Sequence, residues 1–308
     1  MRIGARDRFE VDSAGTILNH PRHRPMNVSR RTFVKTTLAA SASAALSAKL
    51  DAAPAPSDAT DREYYELRCY HLQAATRLKA DADPALLDSY LEQAFLPALN
   101  RLGVKNTGVF IEIEVDKKTG TAAPKPGSPV WVVIPHATLG SFAQIAAGLN
   151  ADPVVRQAGA NYLNTPKASP AFERIDTWLL RAFAGMPRME VPAFSRARAP
   201  GRVFELRDYE SHSELKALSK MAMFDEAEIA LMRDLGMAPT LFGQALAGPN
   251  LPHLRYMTGA TDLATHLANW GRFGPDPRWH AMKDLPRYAD NTSLNTARFL
   301  VPKAYSQL

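Results

Sequence analysis

One cysteine, Cys69, stands among 308 residues, so the chain can form no disulfide within itself. Its core must come from packing alone, and this length suffices for two domains of ordinary size. Long apolar runs are also missing. The Ala-rich stretch from Thr36 to Ala48 is too short and too small in its side chains for a stable membrane span. No Gly-x-Gly-x-x-Gly, P-loop or Gly-x-Ser-x-Gly occurs, which removes the familiar nucleotide-binding turns and the hydrolase nucleophile elbow. Six histidines follow residue 49 (His71, His136, His212, His253, His266 and His280), and none makes an i,i+4 pair, so no local zinc pattern forms and no metal is expected. Surplus charge is absent from most of the chain. The formal net charge is +6, but residues 1–49 carry nine Lys/Arg against three Asp/Glu, which leaves 28 of each sign in the remainder. A neutral body gives no footing to nucleic acid.

What is present begins with the basic leader. Ser29-Arg30-Arg31-Thr32-Phe33-Val34-Lys35 sets the pair Arg30 and Arg31 ahead of an apolar residue and a lysine. The Ala-rich stretch follows, then Ala52-Ala53-Pro54-Ala55-Pro56 as a cleavage zone. Charge, apolar run and small residues in that order resemble a twin-arginine export signal. Residues 1–60 then form a leader, the twin-arginine export machinery is a partner, and the mature protein is periplasmic or extracellular. Residues 1–25 resemble no part of a signal, which makes Met26 an alternative start to Met1. A lone cysteine suits a route that carries proteins already folded. Cys69 itself reads as a small buried strand residue rather than a nucleophile.

Glu-Leu-Arg-x-Tyr occurs twice, as Glu66-Leu67-Arg68-Cys69-Tyr70 and Glu205-Leu206-Arg207-Asp208-Tyr209. Each copy opens a similar succession. In the first, strand alternation over Glu63–His71 precedes a helix capped by Asp83-Pro84, kinked by Pro97 and stopped near Gly103. Alternating strands at 109–115 and 130–134, helices at 139–149 and 152–163, and a strand at 177–183 complete it. The second copy runs from a strand at 202–209 through a capping box at Ser211-His212-Ser213-Glu214. Strands at 239–246 and 254–258, helices at 262–273 and 276–285, and a strand at 296–301 follow. Strand–helix–strand–strand–helix–strand is the ferredoxin-like plan, with helices on one face of an antiparallel sheet. The expected fold class is therefore α+β. Two tandem ferredoxin-like domains, residues 61–185 and 201–308, are joined by a linker at 186–200 and pair their sheets as a pseudo-dimeric α+β barrel.

If helices cover Tyr65, Leu67 and Cys69, then Glu66, Arg68 and Tyr70 look into the space between the sheets, and Glu205, Arg207 and Tyr209 join them. Buried charges need partners, and a Glu and an Arg two apart on one strand face can pair. One outcome is a charge-paired layer. The other is a polar cavity in which Arg holds an anionic or carbonyl oxygen and Tyr donates a hydrogen bond. Trp270, Phe273 and Trp279 read as core packing at helical spacing, and Asp225, Glu226 and Glu228 as a solvated helix face.

The second half is similar to the NIPSNAP family through Phe204–Tyr209, Phe224–Ile229, Leu235-Gly236-Met237-Ala238-Pro239, Gly248–Leu254, Asp276-Pro277-Arg278-Trp279 and Leu300–Leu308. The first half is similar mainly through Tyr65-Glu66-Leu67-Arg68 and Leu102-Gly103. The resemblance implies a dimeric α+β barrel, a fold shared with small monooxygenases and haem-dependent enzymes, and implies no reaction or catalytic set. The expected function is binding of a small, partly apolar ligand between the two sheets. The alternatives are a cofactor-independent oxygenase or isomerase, or a pocketless protein-interaction module. No cofactor is expected. Haem is the alternative, with His136 and His266 as its candidate ligands. A homo-oligomer is compatible with all three.

Overall fold

The computed structural model describes residues 62–76 and 78–308, and the export motif with Arg30 and Arg31 lies outside the described residues. In the first copy β1 (Tyr64–His71) leads to α1 (Pro84–Tyr90), which passes through a π-helical turn (Leu91–Phe95) into α2 (Leu96–Arg101). Next come β2 (Gly108–Asp116), β3 (Thr121–Pro124) and β4 (Val130–His136). Then α3 (Leu139–Ala151), α4 (Pro153–Ala158), α5 (Ala160–Leu163) and β5 (Arg174–Ala182) close the copy. The stretch between copies holds the short α6 (Ala193–Arg196).

The second copy repeats the order with β6 (Val203–Glu210), α7 (Glu214–Met223), a π-helical turn (Phe224–Glu228) and α8 (Ile229–Asp234). It continues with β7 (Pro239–Ala247), β8 (His253–Ala260), α9 (Leu263–Phe273), α10 (Pro277–Lys283) and β9 (Leu294–Pro302). Among the described strands β3, which lies between the expected strands at 109–115 and 130–134, was unforeseen. It pairs with β2 alone and stands outside the barrel.

The strand order β2-β4-β1-β5-β7-β8-β6-β9 returns to β2, so eight antiparallel strands close on themselves. Each copy supplies four. The last strand of one copy pairs with the second strand of the other, β5 with β7 and β9 with β2. The two sheets therefore meet edge to edge, and closure removes every free edge of the ring.

Local signals explain the ends of the helices. The Asp83 side chain accepts a hydrogen bond from the Ala85 backbone N–H at 2.9 Å, with Pro84 in the first turn. After α2 and α8 the chain turns back identically: Val104 N–H donates to Leu99 O and Met237 N–H to Met232 O, around left-handed Gly103 (φ 83°) and Gly236 (φ 75°). The capping residue of α7 is Ser213, which accepts from Lys216 N–H, and not Ser211, whose hydroxyl instead donates to Asn291 O at 2.7 Å. The irregularity expected at Pro97 is a π-helical turn just before it. The second copy has the same turn with Ala230 at the matching place, so the distortion belongs to the unit and not to proline.

One buried cluster draws on all eight barrel strands: Tyr65, Leu67 and Cys69 with Phe110, Trp131, Val133, Trp178, Leu180, Phe204, Leu206, Leu241, Met257 and Leu300. This is the barrel lumen, filled by side chains as small barrels are. Leu308 and Phe194 pack against it as well. Two further clusters lie between the strands and the helices outside them, one in each copy.

Candidate functional site

The Glu-Leu-Arg-x-Tyr strands turn the opposite face inward from the one expected. Tyr65, Leu67, Phe204 and Leu206 fill the lumen, while Tyr70 and Tyr209 pack with the helix-side clusters. Glu66, Arg68, Tyr70, Glu205, Arg207 and Tyr209 therefore share no common interior. They form two separate clusters beneath the helices. Both faces of a barrel strand are buried, and the narrow lumen takes the apolar set. The helix-covered face can offer the charges their partners.

Those partners are close. In the first copy Arg68 Nε donates to Glu66 at 2.5 Å, and Arg68 Nη1 lies 3.5 Å from the Tyr70 hydroxyl. His136 Nε2 meets the other Glu66 oxygen at 3.1 Å. In the second copy Arg207 donates to Glu205 at 2.8 Å, while His266 Nε2 and Trp270 Nε1 reach its other oxygen at 2.9 and 2.5 Å. The Tyr209 and Tyr256 hydroxyls are 3.2 Å apart.

The two histidines do not come from matching positions. Register aligns His136, at the end of β4, with Ala260 at the end of β8. Phe142 is the fourth residue of α3 and His266 the fourth of α9. The imidazole has exchanged places with an apolar residue, yet the carboxylate keeps its partner. Burial would raise both carboxyls. The histidine hydrogen bond and the adjacent arginine outweigh it and hold Glu66 and Glu205 below the usual carboxylate range. The clusters differ in their neighbours, though Arg68 and Arg207 are equally exposed. Trp270 closes over Arg207, its ring centroid 4.7 Å from the guanidinium, whereas Glu66 and Arg68 line a cleft of about 450 Å³ with Phe142, Ile145 and Thr177.

His136 has both ring nitrogens engaged, by Glu66 and by Ser141 at 3.1 Å, which leaves neither for a haem iron. His266 gives Nε2 to Glu205 and lies buried against Phe299 on the helix side of the sheet, with Nδ1 unpartnered. The acidic cluster also differs from expectation. Glu228 is buried, turned inward by the second π-helical turn, and pairs with Lys220 at 3.0 Å. Burial raises its carboxyl despite Lys220. The Lys220 ammonium in turn sits over the rings of Tyr209, Phe224 and Trp279.

The concavity between the sheets lies at one mouth of the barrel, where the lumen becomes polar. A cavity of about 590 Å³ is lined there by Cys69, His71, Glu112, Lys125, Trp131, Asp176, Trp178, Pro249, Asn250 and Arg298, among others. The Trp131 and Trp178 rings stack at 5.6 Å with 26° between their planes. Arg298 lies over Trp131 at 5.3 Å and Arg255 over Trp178 at 4.1 Å. Trp131 Nε1 donates to Glu112 at 2.8 Å, which also pairs with Lys125. Trp178 Nε1 donates to Pro249 O at 3.2 Å.

Asp208 binds Arg255 through both oxygens and accepts from Arg298 at 2.8 Å, and these arginines hold its carboxyl down against burial. Arg255 is 2% exposed and its Nη1 has no hydrogen-bond partner. His71 Nε2 is 2.9 Å from Asp176 at the rim. Cys69 is buried as expected, and burial pushes its thiol up to about 12. Of the residues singled out from the sequence, Cys69, His71, Pro249 and Asn250 touch this mouth. The available signal was charge at lumen parity, since Asp208 takes in the second copy the place of Cys69 in the first.

Residues 204–307 match the NIPSNAP family. No curated protein matches the sequence. Among solved structures, a NIPSNAP family protein from Agrobacterium tumefaciens is 21% identical, with 34% of this chain and 96% of that one covered at a TM-score of 0.31. A proposed monooxygenase from Lactobacillus acidophilus is 9% identical over 78% of this chain and 94% of that one, with a TM-score of 0.47. A heme-binding protein from Thermus thermophilus is 10% identical over 79% of this chain and 92% of that one, with a TM-score of 0.41. Likenesses at this level carry no chemistry across. The second half of the chain thus resembles the NIPSNAP family over residues 204–307, and the two halves together close one α+β barrel.

Proposed function

We propose that this is an exported NIPSNAP-type protein that binds a small, partly apolar ligand at the mouth of its barrel. The observation that carries the reading is the 590 Å³ cavity with the stacked Trp131 and Trp178 in its wall. Its size falls in the range of roughly 300–1,000 Å³ usual for small-molecule sites. The indoles offer a flat apolar surface, and Arg298 and Lys125 offer charge or hydrogen bonds to a polar end. Glu66 pairs with Arg68 and Glu205 with Arg207 on the helix side of the strands, and they are no part of this site. Export is supported by Arg30-Arg31 ahead of the Ala-rich stretch.

Native mass spectrometry of the purified protein should find a retained ligand, and Trp178→Ala should lose it. Failure to retain any ligand, together with unchanged tryptophan fluorescence across a panel of small aromatic acids, would exclude the site. For export, Arg30→Lys with Arg31→Lys should leave the precursor inside the cell. A second reading, proton transfer on the bound ligand, is favoured by one observation. The His71–Asp176 pair at the rim is arranged as a base with its orienting carboxylate. His71→Gln should then abolish turnover while leaving ligand retention within about twofold, which a binding protein would not distinguish.

A further inference from the structure

The two copies place different residues over the same Glu–Arg pair. Thr138 and Asp262 cap α3 and α9, each accepting from the N–H three residues on. Counted from those caps, Ala146 stands in α3 where Trp270 stands in α9. In the second copy the Trp270 ring lies over Arg207, and its Nε1 donates to Glu205 Oε2 at 2.5 Å. In the first copy that place is open. Ala146 is exposed and lines the 450 Å³ cleft together with Glu66 and Arg68. Arg68 owes its burial to another neighbour. It lies over the Phe95 ring at 5.2 Å, and Phe95 ends the first π-helical turn where Glu228 ends the second.

The first carboxylate keeps the capacity that Trp270 uses in the second. Glu205 Oε2 meets both His266 and Trp270, whereas Glu66 Oε2 meets His136 alone among the described residues. A carboxylate oxygen has two lone pairs, so Glu66 can accept one more N–H. Glu66 is also 3% exposed where Glu205 has no exposed surface. Thr177 is the remaining polar residue of the wall and stands at the register position of Ala297. Its hydroxyl both donates and accepts, so it does not dictate the charge of an occupant. The chain has four tryptophans and none is left for this cleft. Trp131 and Trp178 stack at the barrel mouth, and Trp270 and Trp279 pack with Phe273 in the second copy. An indole here has to come from outside.

We infer that the cleft of the first copy is a binding site for a planar aromatic molecule with one ring N–H, of the size of indole. The ring takes over Arg68 the place that the Trp270 side chain takes over Arg207, and its N–H donates to Glu66. Phe142, Ile145 and Ile175 supply the apolar wall. The site lies on the helix side of the strands, apart from the barrel mouth, and does not depend on what binds there.

Indole and benzofuran, alike in shape but with oxygen in place of the N–H, are the probes. Titrated into the full protein, indole should bind roughly tenfold or more tightly than benzofuran, because only indole offers the carboxylate a donor. Ala146→Trp supplies the ring from the helix, as Trp270 does, and should weaken indole by about tenfold or more. Should that variant fail to fold, Ala146→Leu narrows the same cleft and should give the same loss. Trp178→Ala, at the mouth, should leave indole affinity within about twofold. The inference fails if benzofuran binds as well as indole, or if the folded Ala146 variant binds indole as tightly as its parent. It fails too if Trp178→Ala removes the binding, which would assign indole to the mouth, or if indole does not bind at about 5 mM.

Discussion

Glu205 has no exposed surface and takes hydrogen bonds from Arg207, His266 and Trp270, with Lys117 of the first copy 3.8 Å away. Replacing it with glutamine strands the Arg207 charge beneath Trp270, so Glu205→Gln should cost about 3–5 kcal/mol in urea unfolding. Glu66→Gln should cost a comparable amount, because it strands Arg68, which is as little exposed as Arg207, each at 16%. A loss confined to one copy would contradict that equivalence. Acid stability follows from the same groups. Glu66, Glu205 and Asp208 have folded values below their ordinary 4.5, 4.5 and 3.8, so the unfolded chain binds their protons more tightly. Their contribution is complete above those ordinary values and is lost as pH falls through the depressed ones. Glu228 is raised, and its contribution runs the other way, declining as pH rises above 4.5. Stability should therefore drop on acidification below about pH 4.5, and less steeply in Glu205→Gln. A slope unchanged by that substitution would remove Glu205 as a source of the acid sensitivity.

At the scale of elements, the repeat is most faithful where the backbone sets the rule. Gly103 and Gly236 end matching helices with the same left-handed turn, and an added Cβ would meet nothing within 4 Å at Gly103 and only Asn269 at 3.9 Å at Gly236. Any cost of alanine there is conformational, about 1 kcal/mol at each site, and should appear as a lowered urea midpoint with unchanged slope. Two unaffected midpoints would show that the turns do not need glycine. These turns were legible because Leu-Gly after a periodic apolar run is a local signal. The strands were legible for the same reason: alternation over Tyr64–His71 and Val203–Glu210 survives whatever packs on either side. The face each strand turns inward was not legible. Both faces are buried, and parity names two sets of residues without saying which set meets the lumen. The histidine partners were equally hidden, since one comes from a strand end and the other from a helix.

For the whole molecule, closure is the decisive feature, because neither half has a finished edge. Cut apart, residues 201–308 would expose β7, which pairs with β5, and β9, which pairs with β2. That fragment should dimerise by pairing β9 of each chain with β7 of the other, rebuilding an eight-stranded ring with twofold symmetry. A folded fragment that sediments as a monomer at micromolar concentration would argue against it. Closure also makes the mouth. Trp131, Trp178, Arg255, Arg298 and Glu112 sit on five strands and form no motif along the chain, so nothing short of the assembled ring brings them together. The duplicated α+β unit, its strands and the pairing of Glu with Arg are written in the chain, because alternation, caps and i,i+2 neighbours are properties of a few consecutive residues. Which face became the lumen, which histidine met each carboxylate and where the tryptophans gathered were settled by folding. Those outcomes depend on the edge pairing of β5 with β7 and β2 with β9, and edge pairing leaves no local trace in the chain.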